Sequence, residues 1–551
     1  MNNKEIAGVF NELARIMELY EENPFKIRSY QNAYRTLRKI EQPLAELSEK
    51  ELAGIKGVGK AISSKIRELV DTGELQTLNK YLEKTPEGIR ELLQIKGFGP
   101  KKVKTLWDQL GVESVGELLY ACNENRLVEL KGFGQKTQED LRSKLEYFQQ
   151  SRDKFHYARL EPVALELVEV LQKRLLGTQI QFCGQLRRRN TIVNAIELLV
   201  VGEADMEAAF DNDNLFFVAR KEQQYTARLE NGLPVYLYHC SEAEQGSKLF
   251  RYTATPDFME AFIKSNEGTD FRGLPSEAAL FEKAGLPFIE PELREEGEII
   301  DLVRQGQLPA LVQVEDIKGV VHSHSTYSDG IHSLREMATF SRDQGFAYLG
   351  ITDHSKSAFY ANGLKEDRVL AQMEEIDQLN AELAPFRIFK GIESDILNDG
   401  RLDYDDSLLE QFDFIIASVH SNLRMDEAKA TQRLLTAIEN PYTTILGHPT
   451  GRLLLSRKGY PIDHAKVIDA CAANGVAIEL NANPYRLDLD WRWIPYALEK
   501  GVMISINPDA HSKEGIGDIR YGVFAARKGR LSADRCLNCL DAEGFANYIS
   551  R

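Results

Sequence analysis

The chain has 551 residues, with 68 Lys+Arg against 84 Asp+Glu, a formal net charge of −16 and 43% hydrophobic residues. At roughly 100–200 residues per domain it holds three or four domains, and no apolar run approaches the roughly 20 residues that a membrane-spanning helix needs. The start MNNKEIAGVFNELARIMELY is a charged amphipathic pattern without a signal-peptide profile, and six cysteines make no disulfide framework, so a reducing cytoplasm and no membrane partner are expected.

The charge is uneven. Residues 1–150 carry 24 Lys+Arg and 23 Asp+Glu, whereas the remaining 401 residues carry 44 against 61. Binding to phosphate backbones rests on Lys and Arg, so the global acidity does not decide the partner of the N-terminal third.

That third is predicted to be helical, with Ile6, Val9, Phe10, Leu13, Ile16, Met17 and Tyr20 at three- and four-residue spacing. A short pattern recurs in it: Ile55-Lys56-Gly57-Val58-Gly59, Ile95-Lys96-Gly97-Phe98-Gly99 and Leu130-Lys131-Gly132-Phe133-Gly134. Each copy ends one helical pattern and begins another, as in a helix-hairpin-helix. The glycines let backbone approach a phosphate, and the N–H groups opening the second helix point at it. Lys60, Lys101, Lys102 and Lys136 add point charges just downstream. One such GxG is weak evidence; three with the same flanking residues predict DNA-backbone binding.

Residues 155–290 read as α+β: a helical EPVALELVEVLQKRLL, then β-like runs at QIQFCG, AIELLVVG, LFFVAR, QYTARLE and LPVYLYH. An acidic stretch interrupted by apolar residues follows as a structured linker. From 318 onward, strand, loop and helix repeat seven times, predicting a (β/α)7 barrel. The strands end at His322 and His324, His354, Glu393, His420, His448, and Asp509 and His511, with Asp329 in the loop after the first. Parallel barrels gather their strand ends on one face, so most of the histidine meets there. Mixed imidazoles and carboxylates suit Mn²⁺, Zn²⁺ or Fe²⁺ better than Mg²⁺ or Ca²⁺. Nine candidate ligands exceed one ion's capacity, so two or three are implied, an arrangement that hydrolyses phosphate esters. His332 and His464 stand away from strand ends, and the lone CxxC of Cys536 and Cys539 is ascribed to chance.

HSHSTYSDG, ITDH, GIES, ASVH, GHP and PDAH, in this order, resemble the motifs of the PHP (polymerase and histidinol phosphatase) superfamily. The family's ligand positions fall on His322, His324, Asp329, His354, Glu393, His420, His448, Asp509 and His511. The resemblance implies a three-metal site bridged by Glu393, with Glu393 and Asp509 central to catalysis, and Mn²⁺ as the usual metal. The segments ENPFKIRSYQNAYRTLRKIE and LAGIKGVGKAISSKIRELVDTGEL resemble the N-terminal domain of family X DNA polymerases, which binds gaps. Lys65 then falls on the position of that family's Schiff-base lyase nucleophile, although a phosphate-contacting or solvated lysine is the simpler role.

Family X polymerases with a C-terminal PHP domain are a bacterial architecture, and the resemblance covers nearly the whole chain. The family's palm signature, Gly-Ser-x-Arg-Arg and then Asp-x-Asp on a strand, falls on Gly184, Gln185, Leu186, Arg187 and Arg188, then on Ala195 and Glu197. The third palm aspartate falls on Tyr236. One glutamate cannot hold two Mg²⁺ ions, so Mg²⁺ at this site and polymerase activity are not expected. The expected organisation is an N-terminal helical domain (1–85), a helix-hairpin-helix region (86–150), a degenerate palm and thumb (151–290), a linker (291–317) and a PHP barrel (318–551).

The resulting expectation is a monomeric, cytoplasmic, nucleoid-associated DNA-repair 3′–5′ exonuclease acting on gapped, nicked or 3′-end substrates, with abasic-site cleavage as an extension. Three alternatives stay open: an active polymerase and exonuclease, a phosphatase of the histidinol-phosphate kind, and a non-catalytic repair scaffold.

Overall fold

The computed structural model describes residues 3–38, 40, 42–95, 97–128, 130–150, 154–210, 214–230 and 232–550; Lys96 of the second repeat lies outside them. The chain separates into two compact units, Met1–Asn123 with Leu127–Phe148, and Glu124–Arg126 with Gln149–Arg551.

The described part of the first unit is helical. Asn3–Leu19 buries Ile6, Phe10, Leu13 and Met17, the stripe its spacing predicts, and packs on Pro24–Leu37. Asn23 caps that second helix by accepting from Phe25 N–H (2.9 Å), with Pro24 at the first helical position. The three repeats fold into one turn type: Val58 N–H donates to the Ile55 carbonyl (2.9 Å), Phe98 to Ile95 (3.1 Å) and Phe133 to Leu130 (2.9 Å). Gly57, Gly97 and Gly132 take φ of 91°, 99° and 92°, a left-handed backbone that glycine adopts without a Cβ clash. The apolar residue between the glycines is buried, and the second helices, Lys60–Thr72, Pro100–Leu110 and Gln135–Gln150, begin directly after the second glycine.

The second unit holds two sheets that matter for function. The first orders Gln179–Phe182, Ile196–Val201, Pro234–Cys240, Gln224–Leu229 and Leu215–Lys221 across its width. It is antiparallel except for the central pair, Ile196–Val201 with Pro234–Cys240. Tyr157–Arg174 buries Leu160, Leu167 and Leu171 in the same core as Ile196, Leu198 and Leu237. Beyond it Phe250, Phe258, Phe262 and Phe281 form an aromatic core that also takes in Leu293, Ile299, Ile300 and Val303. The first half of the stretch expected as a linker is thus buried with the segment before it.

The second sheet is the predicted seven-stranded parallel barrel: Gly319–Val320, Tyr348–Ile351, Arg387–Asp395, Phe414–Ser418, Ile445–Leu446, Ala477–Asn481 and Ile504–Asn507, neighbours in chain order. A parallel bridge between Ser323 and Ala510 joins the first strand's extension to the last. Strand pleating alternates side chains between the two faces, so Phe389, Gly391 and Glu393 share one. At one end Tyr348 stacks on Phe545 of the last helix while Phe389 and Phe414 meet it edge-on, ring centroids 4.9–5.7 Å apart. A Cβ on Gly391 would meet the Phe414 ring at 2.5 Å, so glycine is what admits that ring. The aromatic plug closes one end and leaves the other to the polar side chains.

Candidate metal centre

The closing bridge explains how ligands far apart in sequence meet. Ala510 N–H donates to the His322 carbonyl (3.2 Å) and His324 N–H to the Ala510 carbonyl (2.8 Å), which sets His322 and His324 beside Asp509 and His511. Asp329 arrives on a tight loop whose Ser325 and Ser328 N–H groups donate to Asp353 (2.8 and 3.0 Å).

Glu393 is the hub. Its Oε1 faces His322 Nε2 (3.4 Å), His420 Nε2 (3.1 Å) and His448 Nε2 (3.0 Å), and its Oε2 faces His354 Nδ1 (2.9 Å) and His324 Nε2 (3.7 Å). Asp509 Oδ1 lies 3.0 Å from His324 Nε2 and 3.4 Å from His322 Nε2. Asp329 Oδ1 lies 3.3 Å from His511 Nε2 and 3.6 Å from His354 Nε2. Four overlapping sets of ligand atoms result among the described residues: His324, Asp329, His354 and His511; His322, His324, Glu393 and Asp509; His354, Glu393 and His420; and Glu124, Asp509 and His511.

Electrostatics ties these groups together. Burial would strip the proton from His322, yet Glu479, Asp509 and Glu393 hold its pKa well above the usual imidazole value. His420 is likewise pushed up to about 9 against burial, by Glu393 and Asp395. Burial, helped by His511 and His354, takes His324 down to about 3. Glu393 and Asp509 stay well below the carboxylate range despite burial, held there by the imidazoles around them. Several buried atoms have no hydrogen-bond partner, including His322 Nε2, both ring nitrogens of His354, Glu393 Oε2 and His511 Nε2. Buried polar atoms in native folds are otherwise satisfied. Here they converge on common points, as divalent metal ions require.

Sequence reasoning missed the groups behind the ligands. Glu479 Oε2 sits 2.9 Å from His322 Nδ1 and Asp395 Oδ1 2.5 Å from His420 Nδ1, carboxylates that orient an imidazole for metal binding. Asn481 donates to Asp509 Oδ2 (3.0 Å), and the Glu124 carboxylate contacts His511 Nδ1. Strand alternation could have found Asp395, two residues after Glu393, and Glu479. Nothing in the sequence pointed to Glu124. His332 accepts from Lys513 N–H (3.3 Å) and His464 stacks on Trp493, so both stand apart from the metal-type clusters.

Lys60, Lys101, Lys102 and Lys136 are exposed, and a Cβ at Gly59, Gly99 or Gly134 would meet nothing within 4 Å. Lys65 donates to Thr77 Oγ1 (2.7 Å). Ala195 is buried, and Glu197 and Tyr236 are register partners on adjacent strands. Glu197 Oε2 accepts from Gln185 N–H (3.2 Å), and a Cβ on Gly184, whose φ is +58°, would lie 1.7 Å from that oxygen. Burial holds the Glu197 pKa above its usual value. Arg187 binds Glu277 (2.5 Å) and Thr253 Oγ1 (2.8 Å); Arg188 binds Glu295 (3.1 Å) and the Thr253 carbonyl (2.5 Å).

Helix-hairpin-helix repeats in the same chain as a seven-stranded barrel with a His, Asp and Glu mouth define a PHP-type protein built for phosphate chemistry. Family models agree: residues 1–75 match a helix-hairpin-helix domain, 89–146 a SAM-like helix-hairpin-helix tandem and 321–483 a PHP domain. The chain is 34% identical, over 572 aligned residues covering all of both chains, to the DNA polymerase/3′-5′ exonuclease PolX of Bacillus subtilis (strain 168). Over 40% of its length it is 29% identical to 90% of a protein of Syntrophotalea carbinolica named "Probable phosphatase". A protein of Thermoanaerobacter sp. (strain X514) with the same kind of name matches 39% of the chain at 26% identity. The chain belongs to the PolX family of bacterial family X DNA polymerases that carry a PHP domain.

Proposed function

We propose that this protein is a DNA-repair phosphodiesterase that trims DNA from 3′ ends, using Mn²⁺ ions at the barrel mouth and its hairpin repeats to hold the duplex. The observation that carries this is Glu393, a buried carboxylate each of whose oxygens faces a different set of imidazoles, as a carboxylate shared between ions must. His322, His324, Asp329, His354, Glu393, His420, His448, Asp509 and His511 would hold the ions, with Glu479 and Asp395 orienting two of the imidazoles. Bound ions would supply an activated water and neutralise phosphate oxygens. The relative's name, which pairs polymerase with 3′-5′ exonuclease, supports the polarity. The setting proposed is a monomer in the bacterial cytoplasm; no helix among the described residues is long and apolar enough to cross a membrane. Labelled 3′-recessed duplex should shorten with Mn²⁺ and stay intact on chelation or in His322→Ala. Cleavage surviving both would overturn the proposal, and faster turnover of histidinol phosphate than of DNA would favour the phosphatase alternative.

We further propose that the palm no longer polymerises. Glu197 alone of the three palm positions is acidic, and its carboxylate rests on the Gln185 N–H. Arg187 and Arg188 are engaged by Glu277 and Glu295. Template-dependent dNTP addition that disappears in Glu197→Ala would refute this.

A further inference from the structure

We propose that Glu124 is a positioning residue of the metal centre, holding His511 in place for the ion that His324, Asp329, His354 and His511 would share. The proposal rests on the metal-dependent function above, and it makes the centre depend on a residue outside the barrel's own stretch of chain.

Three imidazoles at the mouth share one arrangement. Glu479 Oε2 lies 2.9 Å from His322 Nδ1, and Nε2 of that ring lies 3.4 Å from Glu393 Oε1. Asp395 Oδ1 lies 2.5 Å from His420 Nδ1, and Nε2 of that ring lies 3.1 Å from the same Glu393 oxygen. At His511 the Glu124 carboxylate contacts Nδ1, and Nε2 lies 3.3 Å from Asp329 Oδ1. Each ring thus stands between a carboxylate behind it and a candidate-ligand carboxylate in front. A carboxylate behind the ring keeps the proton on Nδ1, leaves the Nε2 lone pair for an ion and strengthens it as a donor.

The third carboxylate differs in origin. Glu479 and Asp395 lie on barrel strands. Glu124 follows the helix Val115–Asn123, within the stretch that matches the hairpin tandem, yet Glu124–Arg126 groups with the second unit. Asn125 takes a φ of 58°, a left-handed conformation that asparagine tolerates, and the side chains before and after it both reach the mouth. Glu124 is only 3% exposed, and its Oε1 accepts from Asn483 Nδ2 (3.3 Å). Arg126 Nε lies 3.9 Å from Asp329 Oδ2, and its guanidinium carbon lies 5.0 Å from the Tyr360 ring centroid. His511 and Asp329, which these two side chains face, belong to the same four-residue set.

Glu124, Asp509 and His511 also form a set of their own. The Glu124 oxygen meets His511 at Nδ1, however, and not at the nitrogen that approaches Asp329, so it stands behind the ring as Glu479 and Asp395 do. The Asp509 carbonyl lies 3.0 Å from the same Nδ1. Losing Glu124 would therefore leave the ring a neutral acceptor in place of a charged one, which weakens an ion's binding without abolishing it.

The test titrates metal-free, full-length protein with Mn²⁺ in the absence of DNA, counting ions per chain by elemental analysis after equilibrium dialysis. In Glu124→Gln one ion per chain should bind about 10-fold more weakly, and in Glu124→Ala up to about 100-fold, while the remaining ions bind as in wild type. The Mn²⁺ concentration that gives half-maximal turnover of a 3′-recessed duplex should rise by the same factor. Glu124→Gln keeps the side chain's shape, so the comparison stands even where Glu124→Ala fails to fold. Unchanged Mn²⁺ affinity would overturn the proposal whatever happens to the thermal midpoint, and would leave Glu124 a packing role. So would equal weakening of every ion, or one ion missing at saturating Mn²⁺, which would make Glu124 itself a ligand. Because the ions are counted without DNA, wild-type protein that binds Mn²⁺ through Glu124 yet leaves DNA uncut would overturn the phosphodiesterase function alone.

Discussion

The barrel mouth and the five-stranded sheet of the middle region each hold a glutamate, Glu393 and Glu197, and they differ in what surrounds it. Glu393 is ringed by imidazoles, and its Oε2 lacks a hydrogen-bond donor. Glu197 rests on a backbone N–H, with Tyr238 Oη 3.4 Å from its other oxygen and no space for a side chain at Gly184. One carboxylate leaves a valence that an ion can fill; the other is satisfied by its own chain. The same residue type thus leaves an oxygen open in one region and is held by its own chain in the other. Helix starts show the same contrast: Glu197 sits on the Gln185 N–H at the palm, whereas the hairpin helices beginning at Lys60, Pro100 and Gln135 follow glycines with open space before them.

The sharpest way to break the comparison is to remove the hub. Glu393→Gln should lower nuclease turnover by about 10³-fold or more and reduce bound Mn²⁺, since two ions would share that carboxylate; full metal content and activity in this variant would erase the distinction. Next in size is DNA affinity. Changing Lys60, Lys101, Lys102 and Lys136 together to Ala should weaken duplex binding about 10- to 100-fold and flatten its salt dependence by up to about 0.9 log units per lost contact. An unchanged slope in a filter-binding series would take the hairpins out of phosphate binding.

A smaller effect is expected where the palm meets the barrel. His156 pairs its backbone with Ile192 of the palm, while its ring nitrogen bonds the Leu454 carbonyl (3.1 Å) and its ring lies 4.6 Å from Tyr485. Burial lowers its pKa to about 4, so the folded state prefers the neutral ring. The unfolded chain takes up the proton first as pH falls, so stability is full above about 6.5 and declines toward pH 4, by on the order of 2–3 kcal/mol. Chemical denaturation of His156→Gln across that range should show a correspondingly shallower decline. The smallest effect belongs to the palm itself: Glu197→Gln should leave nuclease turnover within about twofold of wild type, because the Glu197 carboxylate bonds Gln185 N–H and Tyr238 Oη of its own sheet region. A large loss would mean the two regions are functionally one.

Much of this was legible in the chain. The repeated Lys-Gly-x-Gly takes a positive φ at its first glycine in all three copies, so three copies announce three turns. Period-two alternation carries Glu393 to the face shared with Phe389, and parallel strands bring His322, His354, His420 and His448 to one end. That Ala195 and Tyr236 stand where the palm resemblance expects aspartates is likewise a reading of the sequence alone. These features are local or periodic, and sequence records local geometry directly.

Tertiary structure alone decided the rest. Glu479 and His322 are 157 residues apart and touch only because the seven strands close. The engagement of Arg187 and Arg188 by Glu277 and Glu295 depends on helices folding back across the palm. Arg486 reads in sequence as a loop arginine, and only the fold brings its Nε within 3.7 Å of Asp509 Oδ2. The residue types at the site were thus set by the sequence; which atoms they leave satisfied and which they leave open followed from how the barrel closed.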